Sequence, residues 1–143
     1  MSKQLFKVQS FKAQSFKVKL AATFFGLLLL ATGAFAVQEG VTRRVRFARG
    51  RTTTTLKNSV VRGTRDRYLI GARAGQKLTV SINSVERNAA FTIYAPSNDT
   101  LEGTSESQEV KSWSGKLPES GDYVIEVGGT RGNATYTLKV AIR

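Results

Sequence analysis

The sequence predicts an all-β fold: an antiparallel β-sandwich of jelly-roll-like plan, with about seven or eight short strands, behind a cleavable signal peptide. Three observations carry this prediction. Apolar and polar residues alternate at period two across most of residues 41–143. Turn-forming residues recur about every 8–12 positions. No stretch shows the 3.6-residue apolar stripe of an amphipathic helix.

The elements follow in order. Val41, Val45 and Phe47 share one face of a first strand, with Arg44 and Arg46 on the other and Gly50 as its break. Residues 52–56 are rich in threonine and predict a short edge strand. Residues 66–72 predict a third strand, with Tyr68 and Ile70 inward. After the turn Ala74-Gly75-Gln76, Leu78, Val80 and Ile82 point inward between Lys77, Thr79 and Ser81. Residues 89–94 place Phe91 and Ile93 inside, and Pro96-Ser97-Asn98-Asp99 forms a turn. Residues 101–109 are polar and carry Glu102, Glu106 and Glu109, which predicts an exposed, mobile loop. Residues 110–114 hold the only tryptophan, Trp113. Leu117-Pro118 and Gly121 turn the chain into Tyr123, Ile125 and Val127, with Tyr123 set to cap the corner. Tyr136, Leu138, Val140 and Ile142 complete the last strand.

The N-terminal segment reads as an address. Lys3, Lys7, Lys12, Lys17 and Lys19 stand without an acidic neighbour, an apolar run covers residues 20–31, and Ala34-Phe35-Ala36 offers small residues at a cleavage site. Residues 1–36 are therefore expected to be a signal peptide and residues 37–143 one sandwich domain, periplasmic or secreted. If the leader stayed uncleaved it would be the chain's membrane contact, since residues 20–37 just reach the lower limit for a span.

Composition removes whole classes of chemistry. The chain has no cysteine and no histidine. A Ser-His-Asp triad, a Cys-His nucleophile, a His/Cys zinc site and a disulfide framework are thereby excluded. No cofactor or metal is expected, and the chain is not expected to be an enzyme. Glu102, Glu106 and Glu109 do not suggest a glycosidase pair, because they lie in one loop with no second domain to wall a cleft. Charge is uneven: residues 41–77 hold eleven Arg or Lys against the single Asp66, whereas residues 78–143 hold six basic and eight acidic residues. Export makes nucleic acid an unexpected partner for the basic half. Anionic envelope polymer or an acidic cleft on another protein fits better.

The spacing Asp66-x-Tyr68-x-Ile70-x-Ala72-x-x-Gly75-Gln76-x-Leu78-x-Val80-x-Ile82 resembles the signature of bacterial pre-peptidase C-terminal domains. So do Leu117-Pro118-x-x-Gly121-x-Tyr123-x-Ile125-x-Val127 and Tyr136-x-Leu138-x-Val140-x-Ile142. Phe47-Ala48-Arg49-Gly50, Gly63 ahead of Asp66, and Thr130-Arg131, in a chain of one such domain behind a leader, are similar to the periplasmic inhibitors of goose-type (g-type) lysozyme. That resemblance implies a non-catalytic protein whose partner is g-type lysozyme and which occludes the active-site cleft. The final loop departs from the family's longer, more basic one: Gly128-Gly129-Thr130-Arg131-Gly132-Asn133 offers one arginine. An arginine on a narrow hairpin tip suits a cleft lined by carboxylates, where the guanidinium can bind in a bidentate manner. Arg131 and Thr130 are accordingly the first partner-binding candidates. Arg65, Arg67 and Trp113 join them because Arg and Trp are enriched at binding hot spots, although Trp113 equally suits the core. The alternative is an adhesion or carbohydrate-binding module that holds cell-wall polysaccharide on the basic 41–77 face.

Overall fold

Eight strands build the fold in the computed structural model, which describes residues 39–143; the signal peptide expected at residues 1–36 lies outside the described residues. They are β1 (Thr42–Arg44), β2 (Thr53–Val60), β3 (Asp66–Ala72), β4 (Lys77–Ser84), β5 (Ala89–Tyr94), β6 (Ser112–Lys116), β7 (Gly121–Gly129) and β8 (Ala134–Ile142), with one 3-10 turn at Glu106–Gln108. Two four-stranded sheets result, in the orders β1-β3-β7-β5 and β2-β8-β4-β6. Their inner faces carry the alternating residues of the sequence: Ile70, Leu78, Val80, Ile93, Ile125, Leu138 and Val140 are all fully buried. This is the packing that period two demands of a sandwich.

One pair departs from the antiparallel expectation. β1 runs parallel to β3, in register Arg43↔Tyr68. The reason is topological: between β1 and β3 the chain crosses to the other sheet, runs along β2 and crosses back, so it returns in its original direction.

Two boundaries also differ from those predicted. β2 extends to Val60 because Leu56, Asn58 and Val60 face inward opposite Leu138, Tyr136 and Ala134. It is an edge strand, as its threonines suggested. β6 starts at Ser112, and the two residues ahead of it bridge the sheets. Val110 accepts a bond from Phe91 N on one sheet, and Lys111 accepts one from Ile82 N on the other.

Finally, residues 101–109 are tied down rather than loose. Leu101 and Thr104 are buried, and Leu101 N donates to Ile93 O at 2.8 Å. The Thr104 hydroxyl accepts from Ile93 N and donates to Leu101 O at 2.8 Å. The segment thus covers the free edge of β5, a common protection of sheet edges.

Two polar features lock the core. The Tyr123 hydroxyl donates to Glu119 O at 2.7 Å and accepts from Glu119 N at 3.1 Å, closing the predicted tyrosine corner. On the inner side of β3, the buried Asp66 carboxylate accepts from Val41 N, Asn58 Nδ2 and the Tyr136 hydroxyl. All three are donors, so the site suits an ionised carboxylate, which only accepts. Tyr136 spends its proton on Asp66 and therefore accepts from the Tyr68 hydroxyl at 2.6 Å.

Candidate partner-binding surface

Three chain connections emerge side by side at one end of the sandwich: residues 61–65 (β2–β3), 85–88 (β4–β5) and 130–133 (β7–β8). Strand register puts them together, since Val60 pairs with Ala134, Ala89 with Gly129, and Asp66 with Val127. Each of these connections passes from one sheet to the other. The predicted hairpin carrying Thr130 and Arg131 is therefore an arch between sheets. β7 is already paired on both sides by β3 and β5, so the chain beyond it must leave for the other sheet.

Asn88 holds this end in shape. Its side chain is buried, and its Nδ2 donates to Asn133 O at 2.7 Å and to Arg131 O at 3.4 Å. Its own carbonyl accepts from Thr130 N at 2.7 Å. Asn133 Oδ1 in turn accepts from Arg62 N at 2.8 Å, which ties in the β2–β3 connection. Glycine is required twice in the arch. A Cβ on Gly129 would stand 2.3 Å from Gly132 O, and Gly132 has φ +78°. The arch is thus braced from below while Arg131 is exposed at its surface. On the neighbouring 85–88 connection, beside Asn133, Val85 is 96% exposed, the one large apolar side chain left fully in solvent among the described residues. A fixed loop, an exposed guanidinium and an uncovered apolar side chain together suit docking against another protein.

The other sequence candidates divide. Arg65 lies at this end, but its guanidinium pairs with Glu106, donates to Thr64 O and lies across Gly128. It walls a shallow cleft of about 210 Å³ shared with Glu106, Glu109, Glu126 and Thr130. Burial, then Glu126 and Glu106, push the Tyr94 phenol above its ordinary pKa on the same sheet face. Arg67 is one step into that face and is bound to Glu126 at 2.9 Å. Further along, Arg44 pairs with Asp122 at 2.9 Å and holds its carboxyl below the usual range by this hydrogen bond. Trp113 is remote from Arg131. It is half-buried on the inner side of β6 opposite Val80, packs against the core, and donates Nε1–H to Glu102 O at 3.0 Å. Thr130, Arg131 and Arg65 therefore come together, whereas Arg67 and Trp113 stand apart.

Sequence reasoning missed Asn88 and Val85. Val85 had a visible signal, a β-branched apolar residue among Glu86, Arg87 and Asn88 in a turn. Asn88 had none, because its role depends on carbonyls some 43–45 residues later in the chain.

No protein-family model matches the chain, and no curated protein sequence matches it. Aeromonas hydrophila PliG, a periplasmic lysozyme inhibitor of g-type lysozyme, is 30% identical over 74% of this chain and 100% of its own, with a TM-score of 0.59. Salmonella Typhimurium PliG, also a periplasmic lysozyme inhibitor of g-type lysozyme, is 23% identical over 73% of this chain and 99% of its own, with a TM-score of 0.60. The pre-peptidase C-terminal domain of collagenase from Bacillus anthracis shares the fold, at 14% identity over 74% of this chain and 98% of its own and a TM-score of 0.53.

Proposed function

The chain belongs to the family of periplasmic inhibitors of g-type lysozyme, and from that membership we propose that it binds a g-type lysozyme and blocks its cleft without chemistry of its own. The observation that carries this reading is the match to the Aeromonas hydrophila inhibitor over that protein's entire length at 30% identity. The end of the sandwich supplies a physical means. A glycosidase cleft presents carboxyl groups, and Arg131 projects a cation from an arch that Asn88 holds fixed, so little ordering is needed on binding. Val85, on the neighbouring 85–88 connection, adds an exposed apolar side chain at the same end of the sandwich. The protein would act in the periplasm or outside the cell, protecting peptidoglycan.

Calorimetric titration of a g-type lysozyme with the purified protein tests this reading. A saturable complex is expected, displaced by a chito-oligosaccharide that occupies the cleft. Absence of binding would refute the function; binding that the oligosaccharide leaves untouched would refute cleft occlusion.

A further inference from the structure

The outer face of the second sheet carries a feature that lies outside the proposed lysozyme contact. Outward positions on β2, β8, β4 and β6 include Lys57, Lys77, Lys116 and Lys139, and none of these strands' outward residues is acidic. Register aligns the cations across the strands. Lys77 pairs with Lys116, and Lys77 and Arg143 exchange backbone hydrogen bonds at 2.8 and 3.1 Å. Thr53 pairs with Ala141 and Ile142 N donates to Thr52 O, which sets Arg51 beside Arg143 in the same row. Arg51 just ahead of β2, Arg143 just past β8, Lys77 on β4 and Lys116 on β6 thus form one exposed row along this end of the sheet, about 14 Å wide at the usual strand spacing of about 4.8 Å.

Like charges on directly opposed positions repel. The other face of the molecule avoids this by pairing its cations: Arg44 with Asp122, Arg67 with Glu126, Arg65 with Glu106. The row pairs with no acid among the described residues. An anion lying along it would relieve the repulsion.

The surroundings of the row identify the class of anion. Beside it, Lys77, Lys139 and Arg143 border a trough of about 380 Å³ floored by short side chains, among them Thr53, Thr79 and Ser81. Hydroxyl groups of this kind suit the hydroxyls of a sugar. Among the described residues, no aromatic ring of these strands faces outward to stack a base or anchor in a membrane interface, and the one exposed large apolar side chain bordering this face, Val85, lies beside Lys57 and Thr137 rather than at the trough. Lysines act as hydrated point charges towards phosphate. We propose that this face binds a phosphate-bearing polysaccharide, placing the protein on anionic glycan while the opposite loops stay free.

Yeast phosphomannan, a lipid-free phosphorylated glycan, is a suitable probe, with unphosphorylated mannan, poly-L-glutamate and phosphatidylglycerol vesicles beside it. Binding to phosphomannan is expected at low salt, falling steeply towards moderate salt. A Lys77→Gln/Lys116→Gln/Lys139→Gln variant should lose about tenfold or more in affinity while its thermal unfolding and lysozyme inhibition stay unchanged. Failure to bind phosphomannan, equal binding to mannan, tighter binding to polyglutamate or to vesicles, or wild-type affinity in the triple variant would each overturn the proposal. Because inhibition is read separately, failure here leaves the lysozyme reading standing, and the reverse.

Discussion

The Tyr136 hydroxyl donates a 2.6 Å hydrogen bond to the buried carboxylate of Asp66, joining β8, an interior strand of one sheet, to β3 in the other. With Val41 N and Asn58 Nδ2 on the same carboxylate, the contact ties four elements of the sandwich, including the chain just ahead of β1. A buried charge is tolerated only when its oxygens are filled with donors.

Removing one partner should therefore be costly. Tyr136→Phe leaves both the Tyr68 hydroxyl and one Asp66 oxygen short of a bond, and a loss of about 1–3 kcal/mol is expected from denaturant unfolding. Asp66→Asn should cost at least as much, since its amide would offer donors to donors. Unchanged midpoints in both variants would contradict the network.

Alkaline stability follows from the same pair. Burial first, then the hydrogen bonds to Asp66 and Tyr68, hold the Tyr136 phenol above its ordinary pKa of 10.0 in the folded chain. Tyr68 is shifted the same way, chiefly by burial. The unfolded chain releases these protons first, so the stability they contribute is complete below pH 10 and is lost as pH rises beyond it towards the folded-state values. Thermal unfolding followed from pH 8 to pH 11 should show a Tm that falls above pH 10 in the wild type. Tyr136→Phe, already less stable, should show a shallower fall.

Asn88 should link stability to binding. Asn88→Ala removes the donor that Asn133 O and Arg131 O share, at an expected cost of about 1–3 kcal/mol. Its effect on lysozyme inhibition should be larger than that of an equally destabilising change in the distant core, such as Val80→Ala. Equal inhibition by the two variants would remove Asn88 as the brace of the site.

The sheet strands were legible because each needs only local alternation: Tyr68 and Ile70, or Leu78, Val80 and Ile82, announce one buried face. What escaped was non-local. Nothing near β1 states that it will lie parallel to β3, because that depends on the chain's detour through the other sheet. The acidic residues of 101–109 suggested a loose loop, yet one buried hydroxyl, Thr104, and the backbone of β5 fix it. At the candidate site, Arg131 and Thr130 could be picked by residue type. Their arch geometry, and the roles of Asn88 and Val85, depended on which sheet each strand joins.

Single substitutions separate the exposed candidates from the occupied ones. Arg131→Ala and Val85→Asp should each weaken inhibition about tenfold, equivalent to about 1.4 kcal/mol, with little change in Tm. Arg67→Ala should leave inhibition within about twofold, because that guanidinium is engaged by Glu126. Trp113→Ala should lower Tm through lost packing while sparing inhibition at low temperature. The opposite ranking would move the interface to another face.

Lysis of a peptidoglycan suspension by a g-type lysozyme, with and without the purified protein, tests the central claim most directly. The turbidity decrease is expected to slow and then stop as the protein approaches and passes equimolar amounts. Full lytic rate at micromolar excess would contradict the proposed inhibition.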